Sequence, residues 1–218
     1  MLWNKSFGGR GALAACVCAS FALGMTERAD AGMSYGFGAI TANNIGDTVL
    51  GESQLSVVVA SGPGAGQISF TFMNVGMAAM SITDVYFDSH DILASIATID
   101  DSDPGVSFSE GATPGNLPAA NNASPAFVAS MGLTADSSPP VQPNGVNPGE
   151  TLTIICNLLG GIVFDDAIAA LDGGQDLRIG IHVQGFATGG SESFVNVPTP
   201  GSLALMGLSG IAAIRRRR

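Results

Sequence analysis

Short segments of alternating apolar and polar residues occupy the chain between residues 32 and 197, separated by clusters of Gly, Pro, Asn, Asp and Ser. Residues 67–73 show the pattern best, because Ile68, Phe70 and Phe72 alternate with polar residues. An alternation of period two places the apolar side chains on one face of a strand. Several such segments with turn signals between them predict an all-β fold, namely a single β-sandwich of the jelly-roll or Ig-like kind.

The rest of this region divides into further strands, one short helix and one long loop. Strands are predicted at residues 54–60, 81–87, 92–99, 106–109, 151–158 and 177–186. A short helix is predicted where Phe164, Ile168 and Leu171 recur at helical spacing. Residues 113–149 contain seven prolines and predict a long loop, with one strand near 127–131. The predicted core includes Ile68, Phe70, Phe72, Ile154, Cys156, Ile179 and Ile181.

Charge is distributed very unevenly along the chain. Residues 32–197 contain sixteen acidic residues and a single basic one, Arg178, so this region carries a net charge near −15. Such a domain repels phosphate backbones, which excludes nucleic acid as a partner. A solvated acidic surface on a domain outside the cell explains the charge.

The first 31 residues have the order of a secretion signal. Lys5 and Arg10 form the charged part, residues 11–25 the apolar part, and Ala29 and Ala31 an A-x-A cleavage site. The mature chain is therefore predicted to begin at the next residue. The export machinery and signal peptidase are the partners that this segment implies.

Two other interpretations of the N-terminus bear on the cysteines. The apolar part could remain as an uncleaved anchor, although it is short and only mildly apolar for that role. Cys16 also lies in a sequence like a lipoprotein box, but the residues after it stay apolar. If the signal is removed, Cys16 and Cys18 leave with it and Cys156 is the only thiol of the mature chain. Cys156 is predicted to be a buried strand residue rather than a nucleophile.

The last residues, 198–218, have the layout of a membrane-sorting tail. Fourteen uncharged residues, 201–214, follow a proline motif. As a helix they span about 21 Å, less than the roughly 30 Å hydrocarbon core, and arginine side chains can reach the interface to cover part of the difference. The motif consists of Val197, Pro198, Thr199 and Pro200, and the charged cluster of Arg215, Arg216, Arg217 and Arg218. The positive-inside rule keeps the arginines in the cytoplasm and the acidic domain on the far side of the membrane.

These three parts in this order resemble the tag of the PEP-CTERM proteins of bacteria, which is also labelled the ice-binding protein C-terminal domain. The resemblance covers only the tail and implies nothing about ice binding by the rest of the chain. It implies recognition by an exosortase, a membrane protease, followed by relocation to the cell surface or the extracellular matrix. Thr199 stands where the family name implies Glu, as in planctomycete-like variants of the tag.

The candidates for catalysis all have simpler explanations. His182 alternates with Arg178 and fits a half-exposed strand position. Residues 88–91, Asp-Ser-His-Asp, include a serine and a histidine, but no Gly-x-Ser-x-Gly elbow accompanies them. Residues 62–66 are rich in glycine but lack the Lys-Ser or Lys-Thr of a phosphate loop, so they predict a hairpin turn. Asp165 with its neighbour Asp166 suits a helix start rather than a glycosidase pair.

The most distinctive acidic cluster consists of Asp100, Asp101 and Asp103. Oxygen ligands this close together suit calcium outside the cell, so calcium is the alternative to our expectation that the domain has no cofactor. The spacing is not that of an EF-hand, because the later ligands are missing.

We therefore expect an exported cell-surface or matrix protein without enzymatic activity. The first alternative is a module that binds carbohydrate, such as exopolysaccharide, with or without calcium. The shortage of aromatic platforms for sugars ranks it second, because no tryptophan follows Trp3 and the only tyrosines are Tyr35 and Tyr86. A secreted hydrolase is the third hypothesis.

Overall fold

The computed structural model describes residues 32–198, which form ten strands, three helices and a 3-10 turn at Ala120–Asn122. The helices are α1 (Ile45–Gln54), α2 (Val141–Asn144) and α3 (Phe164–Gly173). The strands are β1 (Met33–Ala39), β2 (Leu55–Ser61), β3 (Gln67–Asn74), β4 (Ser81–Ser89), β5 (Leu93–Asp100), β6 (Phe108–Glu110), β7 (Thr134–Ser137), β8 (Thr151–Leu158), β9 (Leu177–Gln184) and β10 (Glu192–Pro198). The prediction of a largely β structure with a short helix at α3 is confirmed.

All ten strands belong to one antiparallel sheet, in the order β5-β8-β3-β2-β1-β10-β9-β4-β7-β6. The sheet curls until its halves face each other, so that Phe70 of β3 packs against Phe87 of β4 with ring centroids 4.8 Å apart. The two edge strands also approach, because the Phe108 backbone N–H of β6 donates to Asp101, just after β5, at 2.9 Å. The hydrogen bonding thus joins the strands into one nearly closed sheet rather than two separate ones.

The concave side of the sheet encloses the main core. It contains apolar side chains from all ten strands. In β3 and β8 every second residue is buried, as the alternation predicts, and the two strands pair so that Phe70 lies opposite Ile154. The predicted core residues are all buried: Ile68, Phe70, Phe72, Ile154, Cys156, Ile179 and Ile181.

Helices cover the two ends of the curled sheet. At one end α3 packs Ala167, Ala170 and Leu171 into the core. At the other end α1 lies against Phe194, and a Cβ at Gly51 would be only 2.3 Å from that ring, so the contact requires glycine.

Helix α1 presents an unusual pattern, because its polar residues face inward and its apolar residues face solvent. Asp47 and Gln54 are buried, whereas Ile45 and Val49 are more than half exposed. The Gln54 side-chain amide donates to Asn74 at 2.7 Å and to the Ala78 carbonyl at 2.8 Å. Because the inward contacts of this helix are hydrogen bonds, no apolar stripe marks it in the sequence, and it was not predicted.

The two ends of the described chain are neighbours in the sheet. Strand β1 pairs with β10, and Tyr35 lies opposite Pro198. Both ends therefore leave the fold on the same side. The predicted sorting motif begins within β10, because Val197 and Pro198 belong to that strand.

Several predicted features lie outside the described residues. These are the signal peptide with Ala29 and Ala31, the apolar segment 201–214, and the remaining motif residues Thr199, Pro200, Arg215, Arg216, Arg217 and Arg218. Between residues 32 and 198, no helix has the length and hydropathy needed to cross a membrane.

A second, smaller core lies on the outer face of the sheet, under residues 111–131, which we term the cover loop. Leu117, Ala120 and Phe127 of this loop pack over Tyr86 of β4. Both faces of β4 are consequently buried, along almost its whole length. The strand predicted near residues 127–131 was wrong: Phe127 is buried by its contact with the outer face and has no strand pairing.

Candidate functional site

The strongest cluster of ionisable side chains lies on the outer face of β4 and β9, which we term the acidic row. On β4 the outward residues are Asp84, Tyr86 and Asp88, because period two places them on one side. The register sets Asp84 opposite His182 and Asp88 opposite Arg178. Asp88 and Arg178 lie beneath the cover loop, whereas Asp84 and His182 lie near its margin.

Arg178 is the only basic side chain of residues 32–198 and forms a buried ion pair with Asp88. Its two terminal nitrogens also donate to the carbonyls of Pro125 and Ala126, at 2.6 and 2.7 Å. Asp88 in turn accepts from the Val128 backbone N–H at 3.1 Å. The side chains of the ion pair and the backbone groups of the loop are therefore hydrogen-bond partners of each other. These bonds hold the cover loop against the sheet.

The same part of the loop depends on an aromatic ring and on a glycine. The Phe127 ring lies 5.3 Å from the Arg178 guanidinium carbon, within cation–π range. Gly180, between Arg178 and His182 on β9, has no side chain to obstruct the loop. A Cβ there would be 2.9 Å from Leu117 and 2.9 Å from Phe127. Gly180 is therefore needed for the loop to reach the sheet.

At the margin of the loop, Asp84 lies between a histidine and a second carboxylate. His182 Nδ1 is 3.0 Å from Asp84, which also accepts from the Thr83 hydroxyl at 2.8 Å. On its other side Asp84 lies opposite Asp136 of β7. Burial, and then the charge of Asp84, raise the pKa of Asp136. The His182 side chain is 14 % exposed, so this is the one part of the row that meets solvent.

An aspartate that fixes one imidazole nitrogen is found in many acid–base sites. Here, however, the Thr83 hydroxyl donates to the aspartate, and its other contact, at 3.3 Å, is the His182 carbonyl. It is therefore not placed as a nucleophile on the imidazole. The geometry makes Asp84 the centre of a cross-strand hydrogen-bond network.

A surface cleft of about 370 Å³ adjoins the buried arginine. Its lining combines Asn122 and Ser124 of the cover loop with Val195 and Val197 of β10. Arg178 also lines it, but the terminal donors of this side chain are engaged by Asp88 and the loop carbonyls. The Arg178 Nε is buried and has no hydrogen-bond partner within residues 32–198.

The predicted calcium ligands do not converge on a common point. Asp101 accepts from Phe108 N, and Asp103 accepts from Thr151 N at 2.8 Å and from the Thr151 hydroxyl at 3.1 Å. Asp100 accepts from Ser102 N at 3.2 Å, and the hydrogen bonding of Ser102 lowers the pKa of Asp100. Over residues 32–198 no three His, Cys, Asp or Glu side chains are grouped to hold a metal ion. These aspartates instead fasten turns to strands.

The serine and histidine of residues 88–91 are not arranged for catalysis. The Ser89 hydroxyl accepts from Leu93 N at 2.8 Å. His90 is largely exposed, and its Nε2 lies 3.2 Å from Asp88. The Cys156 thiol lies in the main core, and burial raises its pKa to about 12, as its predicted structural role requires.

The remaining sequence candidates have structural roles. Residues 62–66 form the hairpin turn between β2 and β3, as predicted. Asp166 accepts from the Val163 backbone N–H at 3.0 Å at the start of α3, also as predicted. Both tyrosines are buried, Tyr35 donating to Asp172 and Tyr86 to the Pro114 carbonyl, each at 3.0 Å. Neither ring is therefore available for sugar contacts at the surface.

The acidic row was not predicted as a unit, because its members come from two strands, β4 and β9, that are far apart in sequence. The available signals were the lone Arg178 and the glycine at 180 within an apolar strand, which indicates a close approach by another segment. Comparison with protein-family models, with curated proteins and with solved structures finds no match for this chain.

Proposed function

We propose that the chain is an exported cell-surface or extracellular-matrix protein whose acidic β-domain acts as a non-enzymatic structural module. A PEP-CTERM-like tail processed by an exosortase would deliver it. The proposal rests on the resemblance of the two terminal segments to sorting signals, and on what the polar groups of the domain do.

The structural role is supported by the hydrogen bonds of the acidic row, which hold parts of the fold together. The groups best suited to chemistry are Asp88, Arg178, Asp84 and His182. Arg178 and Asp88 hold the backbone of residues 125–128, and Asp84 links β4 to β9. A buried hydrogen-bonded network of this kind contributes to a rigid and specific fold. It leaves no ordered nucleophile beside a base, which is what hydrolysis would require.

The position of the chain ends supports tethering by the tail. Because Tyr35 pairs with Pro198, the ends of the described chain lie side by side. A domain attached through residue 198 would therefore extend away from the membrane with its opposite end outermost. The contact between Phe70 and Phe87 supports the finer description of the fold as a β-sandwich of the jelly-roll or Ig-like kind, with the halves of the sheet as its two layers.

A second candidate function is carbohydrate binding. The two tyrosines do not support it, because both are buried. It is favoured instead by strands β2, β3 and β8, which contain no charged residue although the domain is strongly acidic.

The experiment that tests the proposal is deletion of residues 201–218 in the native host, followed by fractionation. We expect the full chain in the membrane and surface fractions and the truncated chain in the medium or periplasm. A second variant replaces only the four arginines at 215–218 with glutamine and keeps the apolar segment 201–214. It separates the anchoring of the chain in the membrane, by the apolar segment, from the orientation of the chain, by the arginines. An unchanged distribution of the truncated chain would mean that the tail does not sort the protein.

A further inference from the structure

The large apolar side chains that stay exposed within residues 32–198 lie at the two ends of the curled sheet. At one end they belong to α1 and to the loop after β3. The other end is where β1 begins and β10 ends, and we term it the exit end. Exposed apolar side chains that gather in one region mark contact with a partner or a membrane. Those of the exit end, which we term the apolar rim, are Val128, Met131, Leu159, Val163 and Val197.

Strand pairing and hydrogen bonds place the members of the apolar rim at the exit end. Pro198 lies opposite Tyr35, whose hydroxyl donates to α3 at 3.0 Å. The loop of residues 159–163 leads from the end of β8 into that same helix, and β9 follows the helix. The first residue of β9 pairs with the last residue of β4. The backbone N–H of that last residue donates at 2.9 Å to Ser130, which precedes Met131.

The chain leaves little distance between the exit end and the proposed membrane segment. Only Thr199 and Pro200 separate β10 from the apolar segment 201–214. The three steps from Pro198 to residue 201 span at most about 11 Å when fully extended. The head-group layer on each side of a bilayer is about 5–7 Å thick. With residue 201 at the hydrocarbon boundary, the exit end therefore lies against the head groups.

We propose that the apolar rim is a membrane-contact surface that seats the exit end among the head groups of zwitterionic lipids, such as phosphatidylcholine. This inference rests on the proposed sorting tail. Side chains such as Leu159 and Val163 leave water when they enter the interface, which favours contact. The apolar segment spans only about 21 Å of a hydrocarbon core of roughly 30 Å. A segment that is too short draws its flanking residues toward the bilayer, so the rim replaces part of the missing apolar length.

The carboxylates beside the rim decide which lipids it can contact. Asp165 and Asp166 follow Val163 closely, and Asp91 lies in the loop before β5; all three aspartates are exposed. Carboxylates repel anionic head groups, whereas the ammonium group of a zwitterionic lipid can lie beside them. Arg178 does not compensate this charge, because it is buried in its ion pair.

A second copy of the chain fits the rim less well than a membrane does. Copies held in one membrane by their tails all direct the exit end toward the lipid, so their rims do not face each other. Contact between two exit ends would also bring together two domains that each carry a net charge near −15.

The test uses the full chain in phosphatidylcholine vesicles that contain a nitroxide-labelled lipid. An environment-sensitive fluorophore is attached to one introduced cysteine, and the nitroxide quenches it where it touches lipid. Cys16 and Cys18 are changed to serine, and Cys156 is buried, so only the introduced thiol reacts. A label at Leu205→Cys reports separately whether the apolar segment itself enters the bilayer.

The matched pair of labels is Leu159→Cys in the rim and Leu50→Cys on α1 at the opposite end. The two leucines are 40 % and 41 % exposed, so the labels differ in position and not in accessibility to water. We expect lipid to quench the label at residue 159 at least threefold more than the label at residue 50. In phosphatidylglycerol vesicles the quenching at residue 159 should fall by half or more.

A second measurement removes the apolar side chains and leaves the label elsewhere in the rim, at Met131→Cys. The double change Leu159→Asp with Val163→Asp should reduce the quenching of that label at least twofold. Val49→Asp with Leu50→Asp adds the same charges at the opposite end and should leave the quenching unchanged. All four positions are exposed, and melting temperatures verify that the variants fold.

The outcomes separate this inference from the proposed sorting tail. Quenching at residue 205 without quenching at residue 159 overturns the membrane contact and leaves the tail as proposed. No quenching at either residue overturns both. Equal quenching at residues 159 and 50, or stronger quenching at residue 159 in phosphatidylglycerol, also overturns the inference. So does a label at residue 159 that lipid does not reach and that cross-links to a second copy of the chain.

Discussion

Arg178 and Asp88 face each other across β9 and β4 and together hold the cover loop against the outer face of the sheet. The only cation of residues 32–198 is thus used inside the fold, 5 % exposed, and is not available to a ligand at the surface. The single arginine of the domain therefore has a structural role, because its ion pair holds the cover loop that buries the smaller core around Tyr86.

Breaking the ion pair should destabilise the domain strongly. Replacing Asp88 with Asn leaves the Arg178 charge buried without a counter-charge, and such losses cost about 3–5 kcal/mol. Urea unfolding measures the change in the free energy of unfolding, and limited proteolysis should show cleavage within residues 111–131. The double change Asp88→Leu with Arg178→Met should cost less than Asp88→Asn. His90→Ala, at an exposed partner of the same aspartate, is the control, and an equal loss there would contradict the assignment.

Gly180→Ala should loosen the cover loop. The added methyl group would approach Leu117 and Phe127 to 2.9 Å, and overpacking of this kind costs about 1–3 kcal/mol. Thermal unfolding should show the loss, and the further change Leu117→Ala should recover part of it. Gly36→Ala in β1 is the matched control, because a Cβ there meets nothing within 4 Å. If both glycine variants behave alike, the loop contact does not explain Gly180.

Asp136 and Asp100 should change the stability of the domain with pH in opposite directions. The pKa of Asp136 is raised in the folded state. Its contribution to the free energy of unfolding is therefore fully present at acid pH and is lost as pH rises through that pKa. Asp136→Asn should therefore raise the melting temperature at pH 7, by no more than about 3 °C, and should have no effect near pH 3.

Asp100 provides the opposite case. The pKa of Asp100 is lowered by hydrogen bonds from Ser102. Its contribution to the free energy of unfolding is therefore present at neutral pH and is lost as pH falls through the pKa of the folded state. Asp100→Asn should lower the melting temperature slightly at pH 7 and not at pH 2. Melting curves across pH 2–8 test both variants, and shifts of the same sign in the two would contradict the assigned causes.

Calcium should not stabilise the domain through Asp100, Asp101 and Asp103, because their carboxylates accept from separate backbone groups. We expect the same melting temperature in millimolar calcium and in chelator. A rise of several degrees with calcium that Asp101→Asn abolishes would show that the loop rearranges into a site.

The sequence predicted the parts of the fold in which local pattern and burial agree. In β3 and β8 alternation alone identifies the buried face. Strand β1 was missed because Gly36 and Gly38 occupy its outward positions and remove the alternating signal. Helix α1 was missed because its inward residues are polar.

The acidic row could not be assembled from sequence for a different reason. Asp84 and His182 are 98 residues apart, and only the pairing of β4 with β9 brings them together. The burial of Tyr86 likewise depends on the cover loop. The prolines predicted one loop over residues 113–149, which was wrong at β7 and α2, and they could not indicate which face the loop covers.

The most direct test of the proposed export and sorting is the mass of the protein recovered from the surface of the native host. We predict an N-terminus near Gly32 and a C-terminus that lacks residues 201–218, because we propose that both terminal segments are sorting signals. Recovery of the intact chain of 218 residues, from Met1 to Arg218, in the cytoplasmic fraction would contradict it.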